Sequence, residues 1–181
     1  MYQGRSWTYD ELVDVLSETN RPTELWEGEL KISPAPAPKH QRIVARLFRH
    51  LDDFVTGHEA GEVFLAPVDV VLDQLQTVQP DIVFVAKRNE RIVQDAIRGI
   101  PDLVMEVVSK GSRQLDRVKK KALYEKFGIK EYWIVDPEAE TIEVLGFSEG
   151  SNQLIDKAGF DASAKSILLP GFSVLVSAVF T

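Results

Sequence analysis

Hydrophobic residues recur at helical spacing in three segments of this chain. Apolar positions three or four residues apart indicate an amphipathic helix. This spacing occurs in TYDELVDVLSE (8–18), HQRIVARLFRHLDDFV (40–55) and RQLDRVKKKALYEKF (113–127). Thr8 followed by Glu11 has the spacing of a capping box, in which each residue satisfies a free amide of the first turn. The pattern therefore predicts three helices separated by other elements.

Runs rich in β-branched and aromatic residues occupy most of the remaining positions. LWEGELKI (25–32) predicts a hairpin that turns near Gly28. Strands are predicted in the runs at 61–73, 77–86, 101–109, 130–137 and 141–147, and a polar stretch then leads to the apolar tail ILLPGFSVLVSAVF at 167–180. The order predicts one α/β (mixed α+β) domain over residues 1–181, with a central mixed β-sheet flanked by helices. The tail is apolar enough to form either core or a homodimer contact.

Composition narrows the possible partners. The chain has 21 Lys and Arg against 28 Asp and Glu, a net charge of −7, which argues against a surface that coats nucleic acid broadly. It has no cysteine, which excludes disulfides and thiolate ligands. We find no apolar run long enough for a membrane span and no signal pattern at the N-terminus, so we expect a cytoplasmic protein without membrane contact.

Two carboxylates interrupt apolar runs in which a buried strand would avoid charge. Asp81 opens the run DIVFV, and Glu106 lies within PDLVMEVVS. Side chains alternate along a strand, so Glu106 shares a face with Asp102 and Val108. If the two strands are neighbours, Asp81 and Glu106 converge, and a divalent cation would remove their repulsion. The alternative is that each acid lies at a strand end, in water or in an ion pair.

Pro80-Asp81 followed by Glu106 resembles the motif of the PD-(D/E)XK nuclease superfamily. The text of the wider chain is more specific: the segments EGEL, PDLVMEVVS, DRVKKKALYEKFGIKEYWIVDP and LPGF resemble a large bacterial family of restriction-endonuclease-like proteins. The resemblance covers about residues 8 to 175. It implies a restriction-endonuclease-like fold, Mg²⁺ or Mn²⁺ as cofactor, and DNA as substrate. It also implies metal ligation by Asp81 and Glu106, with the carbonyl of Val107.

One position departs from the superfamily pattern. A lysine is expected two residues after the glutamate, and this chain has Val108 there. Lys110 shares that strand face but lies beyond the predicted strand end. Lys120 lies on the following helix, four residues before Tyr124 and four after Asp116, so these three side chains line one face. By resemblance, Lys120 is the lysine that reaches back into the site. The alternative for KKK at 119–121 is a solvated basic surface.

Three further polar residues, Glu29, His40 and Asp102, each have a functional and a structural interpretation. Glu29, in EGEL, resembles an outer acidic ligand of the superfamily, and its alternative is a surface charge on a hairpin. His40 follows Pro38 at a helix start, where it would contact phosphate or the attacking water, or simply face solvent. Asp102 follows Pro101 and lies roughly 13 Å along the strand from Glu106, so we expect it to be a surface cap.

Three classes of function follow from these residues. The leading hypothesis is a Mg²⁺-dependent endonuclease, a hydrolase in which Asp81, Glu106 and Lys120 are catalytic and Glu29, His40 and Tyr124 support them. The second is a catalytically inactive descendant of the nuclease fold, retained as a binding or regulatory module. The third, a sugar- or ester-cleaving enzyme with two acids as general acid and base, accounts for the carboxylates alone.

Overall fold

The computed structural model describes residues 5–15, 22–148 and 151–181. Its α-helices are α1 (Tyr9–Val15), α2 (Pro38–Gly57), α3 (Lys121–Phe127) and α4 (Val176–Phe180). A 3₁₀ helix spans Lys87–Ile92, and a π-helical segment, Leu115–Lys120, leads directly into α3. The three predicted helices are present, although the end of the first, 16–18, lies outside the described residues. Its capping box is formed: Thr8 N–H donates to Glu11 Oε2 at 2.9 Å, and Glu11 N–H donates to Thr8 Oγ1 at 3.3 Å.

The strands form two sheets and a separate ribbon. They are β1 (Thr23–Trp26), β2 (Glu29–Ile32), β3 (Gly61–Leu65), β4 (Val70–Asp73), β5 (Gln76–Val78), β6 (Ile82–Ala86), β7 (Ile97–Arg98), β8 (Leu103–Val107), β9 (Glu131–Asp136), β10 (Thr141–Ser148), β11 (Ser151–Ala158), β12 (Ser163–Lys165) and β13 (Ser173–Leu175). One sheet has the order β11-β10-β9-β8-β6-β3 and the other β2-β1-β5-β4-β7, while β12 and β13 pair with each other. Within the larger sheet β8 and β9 are parallel and the other pairs antiparallel, so the predicted mixed α/β architecture is confirmed.

Two of the predicted strand runs divide between the sheets. The run at 61–73 becomes β3 in the larger sheet and β4 in the smaller one, and the run at 77–86 becomes β5 and β6. Pro67 and Pro80 lie between the two strands in each case. Proline has no amide hydrogen to donate, so it ends strand pairing, and the chain crosses from one sheet to the other there.

Strand β8 runs between two apolar layers. Met105 and Val107 face a core beneath α2, whereas Val104 and Val108 face a second cluster that includes Tyr124. The alternation predicted for this strand is therefore present, and the face of Glu106 is the face of the second cluster. This places a carboxylate within an apolar layer.

The C-terminal tail belongs to the first of these cores. Its buried members are Leu169, Phe172, Val174, Val176 and Val179, which pack with α2 and the larger sheet. The core alternative for this tail is thereby confirmed, while the homodimer stays a prediction. The polar stretch before it contains the edge strand β11, where Leu154 is exposed. Among the helices of the described residues, none is long and apolar enough to cross a membrane.

Candidate active site

Strands β6 and β8 bring the first two predicted residues together. Ile82 pairs with Met105 across the antiparallel ladder, so Asp81 lies beside the end of β8. There the Val107 N–H donates to Asp81 Oδ2 at 2.7 Å. Glu106 precedes that amide and points into the second apolar cluster, where its side chain is 6% exposed. The pair predicted from strand alternation is thus on neighbouring strands at one end of the larger sheet.

Lys120 reaches this carboxylate from the π-helical segment. Its Nζ lies 2.7 Å from Glu106 Oε1, and the lysine side chain is 6% exposed. Lys110, by contrast, is 88% exposed and lies 3.5 Å from Glu138. Val108, at the position where the PD-(D/E)XK motif has a lysine, is buried among apolar side chains. The cation beside Glu106 therefore comes from the helix and not from the strand.

The π-helical turn keeps three side chains of this helix on one face. Asp116, Lys120 and Tyr124 are each four residues apart, and all three are buried. In an α-helix, a step of four residues overshoots one turn by about 40°. A π-helical turn closes with bonds to the fifth residue and is wider, so a step of four falls short instead. The overshoot of the α-helical step and the shortfall of the π-helical step therefore offset each other, so the three side chains stay on one face. From this face Tyr124 OH donates a hydrogen bond to Glu106 Oε1 at 2.8 Å.

The acidic residue supplied by the first hairpin is Glu24, and Glu29 is not part of the cluster. Glu24 Oε1 lies 2.9 Å from Lys120 Nζ, and its side chain is 9% exposed. Glu29 is 71% exposed and pairs with Lys31 at 2.7 Å. Because β2 is the edge strand of its sheet, the hairpin turn carries Glu29 away from the site. Glu29 therefore lies outside the cluster that it was expected to join, and Glu24 lies within it.

Asp116, the aspartate of the D-R-x-x-K segment, is a fourth carboxylate of the cluster, and no role was predicted for it. It is 2% exposed, and its backbone carbonyl accepts a hydrogen bond from Tyr132 OH at 3.1 Å. Burial raises its pKa, and the charges of Asp81 and Glu24 add to that rise, against the opposing effect of Lys120 and of a hydrogen bond from Ser112. The available signal was its place on the helical face of Lys120 and Tyr124.

His40 lies against Asp81 at the start of α2. Its Nε2 is 3.2 Å from Asp81 Oδ2, and its side chain is 15% exposed, so the histidine contacts the site and does not face solvent. Burial lowers its pKa, but hydrogen bonds with Asp81 and with the Val107 backbone outweigh burial, so the net shift is upward. Its Nδ1 is buried and has no hydrogen-bond partner among the described residues. Asp81 thus has a cationic neighbour when His40 is protonated.

The cluster contains four carboxylates and one lysine, Lys120. Burial raises the pKa of Glu106, and Asp81, Asp116 and Glu24 raise it further, although Lys120 opposes them. Burial also opposes ionisation of Glu24, yet the charge and hydrogen bond of Lys120 hold its pKa below the ordinary value. Burial lowers the pKa of Lys120, and the attraction of Glu106 and Glu24 more than reverses this, so the lysine stays charged. The charge of Lys120 therefore does not offset burial and the repulsion among the acids, and ionisation of Glu106 and Asp116 is opposed.

Two carboxylates of the cluster each have one oxygen that is open to a hard divalent cation. Hydrogen bonds and ion pairs engage Asp81 through Oδ2 and Glu106 through Oε1. The second oxygen of each carboxylate accepts no hydrogen bond from the described residues, and oxygen ligands suit Mg²⁺ or Mn²⁺. Within the described ranges, no three His, Asp or Glu side chains are arranged to hold an ion by themselves. Two carboxylates with a backbone carbonyl and water remain the set available for such an ion.

Asp102, at the opposite end of β8, is buried and is not the surface cap expected from its position. Its carboxylate is 0% exposed and accepts hydrogen bonds from Arg88 at 2.7 Å and Lys130 at 2.6 Å. The Ala86 amide and the Asn89 side chain donate to it as well, at 2.9 and 2.8 Å. Burial opposes its ionisation, but these donors hold its pKa below the ordinary value. Asp102 therefore ties β8 to the neighbouring 3₁₀ helix and to β9.

Comparison with known proteins places this arrangement in a family. A family model described as "Uma2: Putative restriction endonuclease" matches residues 8–177. The chain belongs to the Uma2 family. No curated protein matches it. Among solved structures, an Anabaena variabilis protein described as "a putative nuclease belonging to DUF820" is similar, with 22% identity and a TM-score of 0.76 over 96% of this chain and 97% of that one.

The Uma2 match confirms the restriction-endonuclease-like resemblance read from the sequence. It spans β1, β6, β8 and the π-helical segment, which are the elements that carry the clustered side chains. At 22% identity, the Anabaena variabilis structure shows the fold, including the mixed arrangement of strands.

Proposed function

We propose that this protein is a divalent-metal-dependent endonuclease that hydrolyses phosphodiester bonds in DNA. The observation that carries the proposal is the position of Lys120, a buried ammonium 2.7 Å from Glu106 on the strand next to Asp81. A hydrolytic site for phosphate needs positive charge where negative charge develops. The family description, restriction endonuclease, supports DNA as the substrate class.

Asp81, Glu106 and the Val107 carbonyl would hold Mg²⁺ or Mn²⁺. A bound divalent ion lowers the pKa of a water molecule and offsets charge on the scissile phosphate. The second oxygens of the two carboxylates are the groups open to it. Since the Val107 amide already holds Asp81 Oδ2 at 2.7 Å, the orientation of that carboxylate is fixed before any ion arrives.

The remaining residues of the cluster set the position and charge of these groups. Lys120 would stabilise the charge that develops on the phosphate oxygens or orient the attacking water. Glu24 fixes the ammonium from a second direction at 2.9 Å. Tyr124 orients Glu106, and His40 does the same for Asp81. Each side chain acts through a contact that is formed without substrate, which lowers the reorganisation required at the reaction step.

Contact with DNA would be local, because the net charge is −7. Lys119 is exposed and adjoins Lys120, and Lys39 and Arg42 are exposed on the first turns of α2, near His40. Lys39 also reaches Pro137 O, at the end of β9, at 3.3 Å. These cations flank the site and are available to contact backbone phosphates. Binding that depends on a few such contacts falls with rising salt concentration.

The test is cleavage of supercoiled plasmid and of a labelled duplex with Mg²⁺, Mn²⁺ or a chelator. We expect cleavage by the wild type that the chelator abolishes. Lys120→Ala should lose cleavage at least a hundredfold, in line with the loss of one charge-stabilising group, while Mn²⁺ binding by calorimetry is largely retained. Lys110→Ala is the matched control, because Lys110 is 88% exposed, and it should cleave like the wild type.

Two results would contradict the proposal. Metal-dependent cleavage by Lys120→Ala at the wild-type rate would exclude the lysine from the reaction. DNA binding by the wild type without cleavage, under every metal condition, would favour the inactive descendant of the fold. Asp81→Asn tests the metal ligand separately from the lysine, since it removes the proposed ligand and leaves Lys120 in place.

A further inference from the structure

A cavity lies at the other end of β8 from the candidate active site. It has a volume of about 290 Å³ and lies where the 3₁₀ helix, the start of β8 and the α3–β9 turn meet. Arg91, Lys130 and Asn89 supply its polar groups, and Ile92, Ile100 and Pro101 its apolar wall. Asp102 lines its floor.

The floor of this cavity offers no free acceptor. Asp102 Oδ1 accepts from Arg88 and Lys130, and its Oδ2 accepts from Ala86 N–H and Asn89. A ligand in the cavity would therefore meet donors and not an unpaired carboxylate. Lys130 uses one of its three N–H groups on Asp102 and is 47% exposed.

The cations around the cavity outnumber its acid. Arg91 is exposed and has no ion-pair partner among the described residues. Among the residues that line the cavity, Arg91 and Lys130 give two positive charges against one on Asp102, which leaves a net charge of about +1. A phosphate monoester carries a charge of about −1.5 to −2 at neutral pH. Arginine matches the geometry of phosphate, because its guanidinium presents paired donors.

The apolar wall indicates what is attached to that phosphate. Ile92 and Ile100 are half-buried and lie beside the buried Pro101, so the cavity has a polar side and an apolar side. Its volume is near the lower limit for small-molecule sites. A single nucleotide has this division between a charged phosphate and a flat base, whereas a duplex is far too large.

We infer that this cavity is a binding site for a phosphate monoester of nucleotide size, with Arg91 and Lys130 on the phosphate and the Ile92–Ile100 wall on the base. The site does not depend on the proposed nuclease activity. The ligand could be a free nucleotide or the 5′-phosphorylated end of an oligonucleotide, because both present the same group.

The experiment is a titration of the ¹⁵N-labelled full chain with adenosine 5′-monophosphate, in which binding is measured by NMR from the chemical shifts of the backbone amides. We expect saturable shifts confined to residues 89–92, 100–102 and 128–130, and none from adenosine at equal concentration. Arg91→Ala should weaken binding about tenfold or more, as expected for loss of a charged hydrogen bond. Arg49→Ala, at an exposed position on α2, is the matched control and should bind like the wild type.

Further titrations distinguish a free nucleotide from a phosphorylated DNA end. A 5′-phosphorylated trinucleotide that shifts the same amides more strongly than the free nucleotide identifies a DNA end, and the reverse order identifies a free nucleotide. Asp81→Asn should leave the nucleotide affinity unchanged, because Asp81 is at the other site. Shifts centred on Glu106, no saturation at millimolar nucleotide, or wild-type affinity in Arg91→Ala would each overturn the assignment.

Discussion

Replacement of Lys120 by Met tests the electrostatic account of the cluster through stability alone. Methionine keeps the length of the apolar stem but removes the ammonium that lies 2.7 Å from Glu106 and 2.9 Å from Glu24. Both acids are buried, so each would lose its nearest positive charge. Removal of one partner from a buried ion pair typically costs about 3–5 kcal/mol. For a chain of this size, that corresponds to a fall in Tm of about 6–20 °C.

The loss of stability should depend on pH, with a sign that follows from Glu24. In the wild type Lys120 holds the pKa of Glu24 below its usual value, so the stability that Glu24 contributes is present above the ordinary carboxyl range and is lost only in acid. Without the lysine, burial is opposed only by the hydrogen bonds from Trp26 and Gln79, so the pKa of Glu24 is higher than in the wild type. The variant then takes up protons as the pH falls, and its deficit relative to the wild type shrinks by about 1.4 kcal/mol per pH unit per proton.

The assay is denaturation in urea at pH 8 and pH 5 in metal-free buffer, followed by tryptophan fluorescence. Lys119→Met is the control, since Lys119 is the exposed neighbour on the same segment, and it should change the free energy of unfolding by less than about 0.5 kcal/mol. A deficit for Lys120→Met that is below about 1 kcal/mol at pH 8, or equal at both pH values, would refute the reasoning.

Three other substitutions test the remaining assignments. Glu106→Gln should abolish the heat of Mn²⁺ binding in calorimetry. It should not lower Tm in metal-free buffer, because a carboxyl whose pKa is raised by burial is replaced by a neutral acceptor. A retained binding heat would argue against Glu106 as a ligand. Asp102→Asn should cost about 1–3 kcal/mol at pH 7 by urea denaturation, and the difference should disappear in acid, because the stability from a carboxyl of lowered pKa is lost as the pH falls. Glu29→Ala should change neither cleavage nor stability by more than about 0.5 kcal/mol, since its side chain is 71% exposed.

The residues that the sequence predicted best are those related by local geometry. Alternation along β8 places Glu106 on the face opposite Met105, and four-residue spacing places Lys120 and Tyr124 together. Asp81 follows from its place directly before β6, whose pairing with β8 was assumed. These predictions required only the side-chain periodicity of a strand or a helix and the pairing of one strand with its neighbour. The mixed sheet was predictable for the same reason.

Glu24 was missed because its position depends on how two sheets dock. Both Glu24 and Glu29 lie on the same hairpin, and cross-strand pairing of Trp26 with Glu29 puts them on one face. What separates them is that β1 is interior and β2 is the edge. Sheet order arises from contacts between distant parts of the chain, which periodicity does not encode. Asp102 was misjudged for a similar reason, since its partners come from the 3₁₀ helix and from β9.

The pairing of Lys120 with two carboxylates has a consequence for how the protein folds. Glu24 belongs to the smaller sheet and Glu106 to the larger one, so the ammonium is held in place only after both sheets have formed and docked. Contacts between distant parts of a chain form late, because loop closure must precede them. During refolding, native-like secondary structure should therefore precede the completed cluster. The complete cluster is therefore a property of the fully folded chain and of neither sheet alone.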